Sequence, residues 1–172
     1  MLPLSPSLLP SLAAACLYAA ATFYQGSCLR QGAKANKRLL VTLGILAVLA
    51  HAASLFTHLM TPAGLELDFF SAASLIAVAV ISVTLVACAR IPVENLLLLL
   101  YPLGMLTVLM SEFAPPGTVQ VINEEPGILA HILLSILAYG MFTIAVFQAL
   151  LLSLQNYQLK HKHPKGLIKN FP

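Results

Sequence analysis

Hydrophobic positions fall into five long runs separated by short polar stretches, and within each run apolar side chains occupy every face of a helix. A hydrocarbon core of about 30 Å requires about 20 residues at a rise of 1.5 Å each. Runs at about 8–29, 39–60, 69–89, 96–113 and 128–154 answer to that length. The pattern predicts an all-α, polytopic transmembrane helix bundle of five spans forming one membrane domain, 1–172, with a tail at 156–172. Pro102 and Gly104 interrupt the fourth run and predict a kink near Tyr101.

The polar stretches give the orientation. RQGAKANKR follows the first run, RIPVEN joins the third and fourth, and NYQLKHKHPKGLIKNFP closes the chain. All nine Lys and Arg (30, 34, 37, 38, 90, 160, 162, 165, 169) fall on one side of the predicted bundle, with Glu94 the single acid there. Glu66, Asp68, Glu124 and Glu125 lie in the opposite loops, and Glu112 lies at a span end facing them. The positive-inside rule then places the N-terminus outside and the C-terminus in the cytoplasm. Met1 to Ser7 is uncharged and the run after it is long, which fits a retained first span better than a cleaved signal.

Composition changes the picture in one respect. With 59% hydrophobic and 9% charged residues, the chain is not a soluble domain. It is a lipid-bilayer protein whose helices associate by packing and polar contacts. Cys16, Cys28 and Cys88 show neither CxxC nor zinc-like spacing, and without C-x-x-C-H the chain does not itself carry covalent c-type haem. No phosphate-binding glycine loop, G-x-S-x-G or H-E-x-x-H occurs, and the basic clusters are accounted for by helix orientation, so neither catalysis nor a nucleic-acid partner is implied. Nothing resembles the paired broken helices of a transporter.

The candidate chemistry is histidine. His131 sits about one turn inside the fifth run, and Ser135 and Tyr139 follow at four-residue steps, giving a polar stripe on a greasy helix. Such a stripe faces protein, a cavity or a cofactor. His51 lies twelve residues into the second run, about 18 Å along it and beyond the midplane. His58 is two turns further, about 10 Å higher on nearly the same face. Three imidazoles thus gather in the outer half of the bilayer, an arrangement suited to haem in an apolar slot. His51 and His58, on one rigid helix, cannot both ligate a single iron in trans. A bis-histidine site within the chain therefore needs His131 and one of the pair. Ser135 and Tyr139 contact either the pocket or a neighbouring helix, and His161 and His163 are solvated tail residues beside lysines.

The stretch EEPGILAHILLSILAYGMFTIAVFQALLLSLQNYQLKHK, with its H-x3-S-x3-Y core and basic tail, resembles the cytochrome c assembly family, and within it the CcsA/HemX-like and YpjD-like inner-membrane proteins. LAVLAHAASL around His51 and SAASLIAVAV in the third run resemble the family's early helices. The resemblance implies a bacterial inner-membrane protein that handles haem, with His131 and His51 matching family histidines while His58 rests on depth alone. It implies cytochrome c maturation proteins and apocytochrome as partners. It also implies further helices, so that this chain looks like the N-terminal portion of the architecture. The tryptophan-rich WWD segment of the haem-handling members is missing, since the chain has no Trp.

Two readings follow. In the first, the protein binds haem through His131 with His51 or His58 and presents it at the outer face of the membrane, as an assembly factor rather than an enzyme. In the second it is a non-haem interaction or regulatory subunit whose histidines are interhelical hydrogen-bonders. Faces left over on the second and fifth helices would meet further helices or a second copy in a homo-oligomer.

Overall fold

The computed structural model describes residues 5–61, 64–114, 120–122 and 126–160. Five helices are long and apolar enough to cross a membrane: α1 (Leu8–Arg30), α2 (Lys37–Leu59), α3 (Phe69–Cys88), α4 (Glu94–Phe113) and α5 (Pro126–Lys160). Local chemistry sets their ends. α1 stops at Gly32, whose φ of +67° is one glycine adopts freely, and Ala33 N–H and Gly32 N–H close onto the carbonyls of Cys28 and Leu29. Asn36 caps α2 by accepting from Arg38 N and Leu39 N at 3.0 and 3.4 Å. Asp68 caps α3 by accepting from Ser71 N at 2.8 Å. α4 continues through Pro102.

α1 packs against α2 and α4, and α3 packs against α2 and α4, so the first four helices form an up-and-down bundle. α5 lies outside it, mainly against α3. At 35 residues α5 runs six past the last apolar residue of its run, to Lys160. Its length of about 52 Å exceeds the bilayer core.

Between the helix ends that carry the acids lies a three-stranded antiparallel sheet that the polar character of those loops did not foretell. Its strands are β1 (Met60–Thr61), β2 (Gly64–Leu67) and β3 (Gln120–Ile122), in the order β1-β2-β3. Leu65 pairs with both Met60 and Ile122, so the α2–α3 and α4–α5 connections are tied together.

Lipid tails remove much of the hydrophobic drive between helices, so close packing must hold the bundle. Its centre is two adjacent tyrosines, Tyr18 and Tyr101, ring centroids 5.7 Å apart with planes tilted by 34°, both fully buried in one cluster with Ala14, Ala47, Ile81 and Leu97. Two glycines make room for them. A Cβ on Gly44 would run into the Tyr101 hydroxyl, and one on Gly104 would lie 3.0 Å from the Tyr18 ring. The Tyr101 hydroxyl donates to Leu40 O at 2.9 Å, bracing α4 on α2.

Candidate functional site

His51 lies at the heart of the bundle with no exposed surface. Its Nε2 is 2.6 Å from Ser74 Oγ on α3, and its Nδ1 is 3.4 Å from Tyr18 Oη on α1. The Tyr18 ring also meets the imidazole edge-on, at 5.8 Å between centroids. A neutral imidazole donates from one nitrogen and accepts at the other. The chain of bonds is therefore directional, running from Tyr18 to Ser74 or the reverse. Three helices are pinned at one point, and both ring nitrogens are engaged.

Nearer the acid-bearing end is a second cluster, built on Glu112 near the end of α4. Its carboxylate accepts from Ser5 Oγ at 2.6 Å and Ser7 Oγ at 3.2 Å on Oε1, and from Ser11 Oγ at 2.7 Å and His58 Nε2 at 3.0 Å on Oε2. Because the Ser11 hydroxyl donates to Glu112, it accepts from Ser54 Oγ, 2.5 Å away. A carboxylate at this depth needs such a shell, since an unpaired charge in an apolar setting is costly. With its side chain 4% exposed, Glu112 draws α1, α2 and α4 together by their ends.

His131 presents a contrast. It is exposed on α5 and has no hydrogen bond or ion pair with any described residue. Tyr139, on the same stripe, is exposed, and Ser135 is half-buried. The stripe therefore turns away from the four-helix bundle. His161 and His163 lie outside the described residues.

Haem ligation needs an imidazole nitrogen free to face the iron. His131 meets that requirement with both nitrogens. His58 meets it only through Nδ1, because Nε2 is held by Glu112. His51 meets it only by giving up Ser74 or Tyr18. Among the described residues, no group of three or more His, Cys, Asp and Glu forms a metal site.

Sequence reasoning missed Tyr18, Ser74 and the serines around Glu112, and read Glu112 only as a span-end acid. One signal was available: an acid at the end of an apolar helix requires donors, and Ser5, Ser7 and Ser11 lie close together on the chain.

The family described as "Cytochrome C assembly protein" matches residues 39–172. The chain belongs to this family. Curated relatives include the "Inner membrane protein YpjD" of Escherichia coli strain K12 and its counterpart in strain O157:H7, each 27% identical over 128 residues. The match takes in 73% of this chain and 49% of each relative, so the chain spans about half the length of the relatives it matches. No solved structure matches. With five membrane-crossing helices and relatives named as inner-membrane proteins, the family member described here is a multi-pass inner-membrane protein.

Proposed function

We propose that the protein is a haem-handling factor of cytochrome c assembly, binding or presenting haem at the outer face of the membrane through His131. The observation that supports this reading is the exposed imidazole, without a partner among the described residues, near one end of a membrane-length apolar helix, in a chain belonging to the cytochrome c assembly family. The distribution of Lys and Arg supports a cytoplasmic basic end and an outward acidic end, and with them an outer-leaflet position for His131.

Haem here is cargo that supplies a redox-active iron. His131 would ligate it, and Tyr139 and Ser135 would line the same stripe. Within the chain, His58 through Nδ1, or His51 once its bonds to Tyr18 and Ser74 open, would serve as the second ligand only if α5 turned its stripe back toward the four-helix bundle. A second copy of the chain, or another protein, would be the other source of a second ligand. Other maturation proteins and apocytochrome would receive the cargo.

A second reading is favoured by the bonds of His51 and His58, which join helices as a purely structural subunit's histidines would. Haemin titration of the full-length protein in nanodiscs separates the two. A Soret band at one haem per chain, lost in His131→Ala, supports haem handling. No band in the full-length protein with haem supplied rejects it and leaves the structural or regulatory role.

A further inference from the structure

At the basic end, a cavity of about 270 Å³ opens between the ends of α1, α2 and α4 and the flank of α5. It uses none of the residues of the histidine clusters.

The Gln25 side chain lines this cavity and is almost entirely buried, at 5% exposure. Its Nε2 donates to the Glu94 carbonyl at 2.8 Å, which fixes the amide orientation because that oxygen only accepts. Its Oε1 is then a buried acceptor without a donor among the described residues. Such an atom is costly to leave unsatisfied. The rest of the lining says what would satisfy it. Lys34 and Lys37 bring two positive charges and Glu94 one negative, with Lys37 Nζ and Glu94 Oε1 already paired at 2.6 Å. Lys34, with no ion pair among the described residues, is placed to meet an anion. The start of α4 adds to this, since Val93 supplies no side-chain cap to the first-turn N–H groups. Leu98 and Leu151 make an apolar wall.

We propose that this cavity is a headgroup site for an anionic glycerophospholipid of the phosphatidylglycerol class. The phosphodiester meets Lys34 and the uncapped start of α4, a headgroup hydroxyl donates to Gln25 Oε1, and an acyl chain runs along Leu98 and Leu151. A choline headgroup has no donor for Gln25. An ethanolamine headgroup would bring an ammonium against Lys34 while Glu94 is already neutralised.

The test is native mass spectrometry of the full chain released from micelles doped with palmitoyl-oleoyl phosphatidylglycerol, phosphatidylethanolamine or phosphatidylcholine, with soluble glycerol 3-phosphate as a further arm. Retention should favour phosphatidylglycerol, and Lys34→Gln, an exposed position, should lower it about fivefold, the worth of one basic residue near an anionic surface. Gln25→Leu should lower retention of phosphatidylglycerol and leave that of phosphatidylcholine unchanged. Equal retention of the three lipids, or retention indifferent to Lys34→Gln, overturns the proposal. Displacement of phosphatidylglycerol by glycerol 3-phosphate at comparable concentration also overturns it, by identifying a soluble phosphate ester as the ligand.

Discussion

Replacing His51 with alanine would remove two hydrogen bonds, to Ser74 and Tyr18, and open a cavity at a site with no exposed surface. The two bonds are unequal. The 2.6 Å contact to Ser74 is short, whereas the 3.4 Å contact to Tyr18 is long and contributes less. Interhelical hydrogen bonds in membranes average about 0.6 kcal/mol and reach about 1.7. Adding a partly collapsed cavity, His51→Ala should cost about 2–4 kcal/mol. Ser74→Ala loses little volume and one bond, costing about 1 kcal/mol. The two residues touch, so the double variant should show a coupling of about 0.5–1.5 kcal/mol. Reversible unfolding of the purified protein in mixed detergent and SDS micelles gives all four free energies. Strict additivity, or a His51→Ala variant as stable as the parent, would refute the claim that this imidazole ties α1 to α3.

Gly44→Ala forces the Tyr101 hydroxyl off Leu40 O and should cost about 1–3 kcal/mol in the same unfolding assay; a neutral result would mean that the α2–α4 contact is looser than described. Glu112→Ala deprives Ser5, Ser7, Ser11 and His58 of their common acceptor, so limited proteolysis should cut ahead of α1 faster than in the parent, and an unchanged rate would count against the clasp. Lys37→Ala removes an ion pair whose lysine side chain is 46% exposed, and stability should change by less than about 1 kcal/mol. His131→Ala, at an exposed position, should leave stability within about 0.5 kcal/mol of the parent.

The five helices were legible because bilayer thickness fixes run length and the lysines and arginines mark one end. Their rotations were not. A run that is apolar on all sides gives no stripe to say which face turns inward, so the positions of Ser74 and Tyr18 opposite His51 could not be read from spacing. The same holds for Glu112, legible as a span-end acid but not as the meeting point of α1, α2 and α4. The sheet was hidden for another reason: strands of two to four residues carry almost no pattern, and β2 and β3 are joined across the whole of α3 and α4. The stripe of His131, Ser135 and Tyr139 was legible as a stripe. That it faces away from the bundle depends on how α5 docks on α3, which only the assembled helices reveal.

The central claim is that the free imidazole of His131 is what meets haem iron. Chemical rescue tests it most directly: the full-length His131→Gly variant is titrated with haemin, and absorption spectra are recorded before and after imidazole is added. The account predicts a Soret band in the parent, its loss in the variant, and its return with free imidazole at the parent's wavelength. An undiminished band in His131→Gly before imidazole is added would contradict it.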